Sequence, residues 1–182
     1  MFDMVGVVGA VTLPSWVNRI SPSRSGMASY PGFVNWITRQ PAWDIGIAPL
    51  ADTAFNGSKS AIKMFDYAAL GLAVLASDVS AYRGSLCDGT WVDRGGADGG
   101  GGRLVANTEA AWFRALCDLI NDAASRRRLA EGARSAFAAH HTLAAQAAWR
   151  RAAWLELAGV APAVAPAPAG SPRRRQARLA AE

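Results

Sequence analysis

Two lysines lie close together in the stretch FNGSKSAIKMFDYAALG, which runs from 55 to 71. They are Lys59 and Lys63, and they are the only lysines in a chain whose Lys and Arg residues number 19. A bias toward arginine codons would account for the arginines, so the retention of both lysines in one short stretch indicates a local need for compact, mobile positive charges. Phosphate groups are ligands that suit such charges near a helix start.

The residues around Lys59 could build a binding site for a phosphate or diphosphate. We predict a helix over 59–70, preceded by a loop in which Gly57 allows the backbone to turn sharply. Ser58 or Ser60 could cap this helix, and Lys59 would add its charge to the free N–H groups of the helix start. An ordinary capped helix with exposed lysines is the alternative, and spacing alone does not exclude it.

Asp66 follows Lys59 by seven residues, which is about two helical turns, so the two side chains would project to the same general side. Its carboxylate could accept hydrogen bonds from both hydroxyls of a ribose while the helix start holds the phosphates. A solvated acid is the alternative. Lys63, one turn after Lys59, would either assist with the phosphates or lie in solvent.

Strands and helices alternate along the chain, with very short connections from helix to strand. The patterns predict strands over 4–11 (buried), 43–50, 72–78 (buried) and, more weakly, 91–93 and 102–106, and helices over 30–40, 59–70, 108–122, 125–140 and 143–158. This order predicts an α/β fold, a Rossmann-like, mainly parallel sheet flanked by helices, with further helices towards the C-terminus. Such sheets bind ligands at the carboxyl ends of their strands, and the lysine-bearing stretch follows the strand 43–50.

Two of the helices carry recognisable ends and apolar faces. Gly71 is predicted to end the helix 59–70, and Thr108 to cap the helix 108–122. The apolar face of the first helix would consist of Ile62, Phe65, Ala69 and Leu70, and that of the second of Trp112, Leu116, Leu119 and Ile120.

One domain is predicted over 1–158, and a disordered tail rich in Ala, Pro and Arg over 159–182. The tail carries four arginines and one glutamate, which is +3 of the net charge of +5, so the body is nearly neutral and indicates no nucleic-acid partner. No apolar run is long enough for an integral membrane segment. We predict a cytoplasmic location and interpret the basic tail as a solvated end, with a weak nucleic-acid or membrane-surface role for the tail as the alternative.

The cysteines and histidines give little sign of a metal site. Cys87 and Cys117 have no His or Cys partner at metal-binding spacing and are predicted to be buried free thiols. His140 and His141 are interpreted as structural or exposed side chains.

Three segments together resemble a known family: WDIGIAPL, then FNGSKSAIKMFDYAALGLAVLASDVSAYR, then RLVANTEAAWFRALCDLINDAASRRRLAEGAR. In order and spacing, over about residues 1–145, they are similar to the carboxyl-terminal, donor-binding domain of GT-B type glycosyltransferases of the group-1 family. The resemblance implies a nucleotide-diphosphate sugar as donor, transfer to a saccharide or lipid acceptor, and no cofactor or obligatory metal.

The resemblance also implies roles for individual residues. Lys59, Ser60 and Lys63 would contact the donor phosphates, and Asp66 would bind the ribose as the second acid of the family's Glu-x7-Glu arrangement. The first acid of that arrangement falls on Ser58, which carries no charge, so no catalytic residue is assigned. The residues expected to line the cleft are Asn56, Gly57, Ser58, Ser77 and Asp78, with Tyr82 more suited to packing than to a ligand.

The family's acceptor-binding domain has no counterpart in the sequence, and MVGVVGA resembles a strand that the family's domain places after a further strand and helix. We therefore expect a chain truncated at its N-terminus and an acceptor-binding domain or partner chain to complete the site. The alternative is a non-catalytic binding or interaction module, or a fragment without activity of its own. A dehydrogenase or response-regulator domain is disfavoured because no G-x-G-x-x-G and no acid cluster follow the first strand.

Overall fold

The computed structural model describes residues 2–6, 12–86 and 101–160. The chain divides into two compact units, Met1–Ala42 and Trp43–Glu182, and both include residues of the single domain that the sequence predicted over 1–158. The first unit holds a two-stranded parallel sheet and the second a three-stranded parallel sheet. Helices accompany both sheets, so the prediction of an α/β fold with parallel strands is confirmed at that level. The predicted tail lies outside the described residues beyond Val160.

In the first unit, β1 (Phe2–Val5) pairs in parallel with β2 (Val17–Ile20). The strand predicted over 4–11 overlaps β1 only in part, and its residues 7–11 lie outside the described ones. All four residues of β1 are half-buried, which corrects the expectation of a fully buried strand. The sequence missed β2, because its segment VNRI places two polar residues side by side instead of alternating them with apolar ones.

Two helices complete the first unit, α1 (Arg24–Ala28) and α2 (Tyr30–Ile37). The second confirms the helix predicted over 30–40, with Pro31 in its first turn as expected. The hydroxyl of Ser29 caps it by accepting a hydrogen bond from the Gly32 N–H at 3.2 Å.

Within residues 43–86 and 101–160, the second unit has three parallel strands, whose order in the sheet is their order along the chain, and five helices. The strands confirm the predictions over 43–50, 72–78 and 102–106, while the predicted strand 91–93 lies outside the described residues. The elements are β3 (Ile45–Ala48), α3 (Ala54–Gly57), α4 (Ile62–Ala69), β4 (Ala73–Ser77), β5 (Arg103–Val105), α5 (Glu109–Asn121), α6 (Ala123–His140) and α7 (Leu143–Leu157).

The central strand β4 is the middle of the core, and all five of its residues are buried. Its side chains alternate between two apolar clusters, with Val74 and Ala76 on one face and Ala73 and Leu75 on the other. A near-continuous apolar strand is what a parallel strand covered on both faces requires.

The helix predicted over 59–70 begins later than expected and is rotated about its axis. It starts at Ile62, and a short helix, α3, occupies part of the predicted loop before it. Ile62 is 48% exposed and Ala69 is also exposed, whereas Met64 and Ala68 are fully buried. The predicted apolar face is therefore wrong in Ile62 and Ala69, and the face turned toward the core includes Met64 and Ala68.

The end of α4 matches its prediction. Gly71 has φ +74°, the left-handed conformation that glycine adopts without strain. Its N–H donates to the Ala68 carbonyl and the N–H of Leu72 to the Tyr67 carbonyl, both at 3.0 Å. These two bonds form a Schellman motif, which turns the chain directly into β4.

The prediction for α5 holds in its cap and in most of its stripe. The Thr108 hydroxyl accepts from the Ala111 N–H at 3.3 Å. Leu119 is buried, and Trp112 and Leu116 pack against the same cluster. Ile120, in contrast, is exposed, so its inclusion in the buried stripe is wrong.

Candidate functional site

The carboxyl ends of β3, β4 and β5 lie at one edge of the sheet because the three strands are parallel. We call the segments that follow them, 49–60, 78–83 and 106–108, the carboxyl edge. It carries the first part of the lysine-bearing stretch, with Lys59 and Ser60, together with side chains from two other strand ends, while Lys63 and Asp66 follow on α4.

Leu50 ties the three strand ends together. Its N–H donates to the Ser77 hydroxyl at 2.8 Å, and its carbonyl accepts from the Asn107 side-chain amide at 2.8 Å. The Asp78 N–H donates to the Val105 carbonyl at 2.7 Å. Ser77 is 0% exposed, so the prediction that it lines a cleft is corrected: its hydroxyl is used inside the protein to position the loop after β3.

The loop after β3 is folded by its own polar side chains. The Thr53 hydroxyl caps α3 by accepting from the Asn56 N–H at 3.2 Å, and the Asn56 amide donates to the Ala51 carbonyl at 2.8 Å. Gly57 lies in α3 and is not among the described glycines with positive φ, so the expected sharp turn is wrong. An added Cβ at this position would lie 3.3 Å from the Ser80 hydroxyl, the end of an exposed side chain.

Neither predicted serine caps α4. Ser58 ends α3, and the residue before Ile62 is Ala61, which makes no capping hydrogen bond through its side chain. The prediction failed because α4 starts three residues later than the sequence pattern indicated. Ser60 lies exposed in the connection between the two helices.

The two lysines are exposed, and one of them contacts an aromatic ring. The Lys59 ammonium lies 5.2 Å from the centroid of the Phe55 ring, which is itself 77% exposed. A cation over an aromatic face is electrostatically attractive. Sequence reasoning missed Phe55, although its spacing of four residues before Lys59 is one that brings side chains together in a helical turn.

Asp66 lies half-buried on α4, three residues after Lys63 and therefore on a neighbouring part of the same helix surface. The expected two-turn spacing from Lys59 to Asp66 along one helix is wrong, because Lys59 precedes α4. The negative charge of Asp66 adds to burial in raising the pKa of its neighbour Tyr67.

At the end of β4, Asp78 forms an ion pair with Arg83, whose Nε donates to Oδ1 of the carboxylate. This hydrogen bond and the charge of Asp78 raise the pKa of Arg83, with a smaller contribution from Asp52. Tyr82, between them in the turn, is buried in the core, which confirms its interpretation as a packing residue. Sequence reasoning had not singled out Asp52.

His141 takes part in packing, whereas His140 is exposed. The ring of His141 stacks on Phe65, with 4.3 Å between the ring centroids, and burial lowers its pKa. Cys117 is a free thiol but only half-buried, which corrects its predicted burial, and Cys87 lies outside the described residues. Within ranges 2–6, 12–86 and 101–160, the His, Cys, Asp and Glu side chains form no group that could hold a metal ion.

Comparison with known proteins gives no further assignment. No protein-family model matches the chain, and no curated protein matches it. Among the described helices, none is long and apolar enough to cross a membrane.

Proposed function

We propose that the chain is the donor-binding part of a glycosyltransferase and binds a nucleotide-diphosphate sugar at the carboxyl edge. The observation that carries the proposal is the position of the lysine-bearing stretch: it follows β3 directly, at the end of a parallel sheet where ligands of such folds bind. The order of motifs that resembles the group-1 family supports the same assignment. A Rossmann-like, GT-B arrangement of the whole domain belongs to this proposal.

In this proposal the diphosphate lies against Lys59 and Lys63, whose exposed ammonium groups offset its negative charge. Ser60, also exposed, donates its hydroxyl to a phosphate oxygen. Asp66 accepts hydrogen bonds from the ribose. Transfer then requires an acceptor-binding domain or partner chain, and the role of a metal in stabilising the departing diphosphate falls to the lysines.

A second candidate function is a non-catalytic binding module of the same fold. Ser58 favours it, because it stands where the resembling family has the first acid of its pair and offers no carboxylate to the sugar. Asp78, an acid at the end of β4, does not replace the missing carboxylate, because it is paired with Arg83. The two candidates share nucleotide binding and differ in turnover.

Calorimetric titration of the full chain with UDP and GDP, in the presence of a chelator, tests the shared step. We expect one of them to bind, and we expect Lys59→Ala and Asp66→Ala each to weaken binding by about tenfold, the loss of one charge-assisted hydrogen bond. Lys63→Ala should have a smaller effect.

Arg127→Ala is the matched control for the loss of a cation. Its neighbour Arg126 lies 3.8 Å from Asp44, just before β3, which places the first turns of α6 at the opposite end of the strands from the carboxyl edge. Glu131→Ala, an exposed acid of the same helix, is the control for Asp66. The donor-site proposal would be contradicted if the unmodified chain bound neither nucleotide, or if the control variants lost as much affinity as Lys59→Ala and Asp66→Ala.

A further inference from the structure

The last described helix, α7, presents apolar side chains on two opposite faces. Ala145, Trp149 and Ala152 are half-buried on the inner face. On the outer face, Leu143 is 76%, Trp154 72% and Leu157 80% exposed. A single exposed leucine would need no explanation, but three large side chains on one face form an apolar stripe that no other described residue covers.

The outer stripe has a regular helical spacing. Its positions are 143, 147, 150, 154 and 157, which follow one another by three or four residues and therefore share a face. Arg150 lies at its centre, with its Nε donating to the Gln146 side chain at 3.1 Å. Arg151 is also exposed and lies beside the stripe.

Positive charge is concentrated in the same part of the chain. From Leu143 to the last residue the sequence has six arginines and two glutamates, so this stretch carries +4 of the net charge of +5. The preceding part of the chain is nearly neutral. Exposed Trp and Leu side chains beside arginines are residue types that favour the interface of an anionic bilayer.

We propose that α7 docks on an anionic lipid surface, with Trp154, Leu143 and Leu157 inserted among the acyl chains and Arg150 and Arg151 at the level of the headgroups. The aliphatic stems of the two arginines reach along the apolar layer while their guanidinium groups stay among the phosphates.

Self-association through this stripe is disfavoured by the position of Arg150. An antiparallel pair of α7 helices centred on the stripe would place the two Arg150 guanidinium groups against each other, and like charges in contact are repulsive. A nucleic acid would use the arginines but would leave the three large apolar side chains in water.

Sedimentation of the full chain with vesicles tests the proposal. We expect binding to phosphatidylcholine vesicles that contain phosphatidylglycerol, much weaker binding to phosphatidylcholine alone, and a loss of binding in high salt. Trp154→Ser should weaken binding about tenfold and Leu157→Ser by a similar factor. Arg150→Gln and Arg151→Gln should each weaken it about fivefold.

Phe113→Ser is the matched control. Phe113 is 68% and Ile120 63% exposed on α5, but their stripe includes Glu109 and no arginine, so this variant should bind vesicles as the unmodified chain does. Circular dichroism of each variant checks that the helices remain.

Equal binding by Trp154→Ser overturns the proposal, as does no binding to the anionic vesicles. Concentration-dependent dimerisation that Trp154→Ser abolishes, without vesicle binding, would assign the stripe to a second copy, and binding of RNA alone would assign it to nucleic acid.

Discussion

His141 ends α6 with its ring held in a partly buried stack on Phe65 of α4. Burial is the main reason that its pKa is lowered; the charge of His140 acts in the same direction, and a backbone contact with Leu86 acts against both. The fold therefore favours the neutral ring. A single side chain at the end of one helix thus makes the contact between two helices sensitive to pH.

The stability of the fold should fall as the pH drops below about 6.5, the ordinary pKa of histidine, because the unfolded chain takes up the proton before the folded chain does. His141→Phe keeps a ring against Phe65 and removes the titration. Its free energy of unfolding in urea should therefore change less between about pH 7 and about pH 5.5 than that of the unmodified chain.

His140→Gln is the control for this prediction. His140 is exposed, and the burial of His141 is unchanged in this variant, so most of the pH dependence should remain. The same pH dependence in His141→Phe as in the unmodified chain would show that other groups, such as carboxylates, cause the loss.

Among the elements, α4 is fixed differently at its two ends. Its first turn has no side-chain cap, while its last turn closes in the Schellman motif at Gly71. The space around Gly71 is open, since the atom nearest to an added Cβ would be the Arg134 guanidinium at 3.9 Å. A larger residue there would suffer from its backbone conformation and not from a clash.

Gly71→Ala should lower the free energy of unfolding by about 1 kcal/mol, because a Cβ is unfavourable in the left-handed region. Gly71→Asn should recover part of this loss, since asparagine tolerates that conformation. Urea unfolding of the three proteins measures both differences. If alanine and asparagine cost the same, the backbone conformation is not the cause.

At the scale of the whole molecule, β3 is the edge strand of its sheet among the described strands of the second unit, so its outer side has no partner strand in that sheet. The Asp44 carbonyl accepts from Ala73 of β4, and successive carbonyls of a strand alternate in direction, so the carbonyl of Ile47 points away from β4. The Tyr67 hydroxyl donates to that carbonyl at 3.0 Å, and the Tyr67 ring lies so close to Gly46 that an added Cβ would be 2.5 Å from it. Tyr67 thus covers part of an edge that could otherwise pair with another chain.

Tyr67→Ala should increase association between copies, because it uncovers both the Ile47 carbonyl and the strip of backbone at Gly46. Tyr67→Phe keeps the ring and loses only the hydrogen bond, so this variant should associate less than Tyr67→Ala does. Its free energy of unfolding should be lower than that of the unmodified chain by about 1 kcal/mol. Sedimentation velocity over a range of concentrations measures the association. A monomeric Tyr67→Ala at all concentrations would mean that the ring does not protect the edge.

The sequence predicted the elements whose signals are local. The apolar run of β4, the Thr108 cap and the Gly71 stop each depend on a few neighbouring residues, and each is confirmed. Ile62 and Ile120 were wrongly predicted to be buried, because periodicity identifies an apolar stripe but not how the helix is rotated about its axis against the sheet. The start of α4 was misjudged because Lys59 and Ser60 are compatible with both a first turn and a connection.

The position of the lysine-bearing stretch along the fold was predicted, whereas the contacts of its side chains were not. Proximity to the carboxyl end of β3 follows from the order of elements. The burial of Ser77 does not, because it depends on a bond to Leu50, which lies 27 residues earlier in the chain. The contact between Lys59 and Phe55 required the short helix α3, which the sequence pattern had marked as a loop.

Leu50 gives the carboxyl edge a mechanical property. The N–H and the carbonyl of this one residue, which belong to two successive peptide groups, bond to residues at or just after the ends of β4 and β5, so a shift of any of the three segments along the sheet would break one of these hydrogen bonds. A ligand that binds at the carboxyl edge contacts a backbone that is already ordered, so little of its binding free energy goes into ordering that backbone.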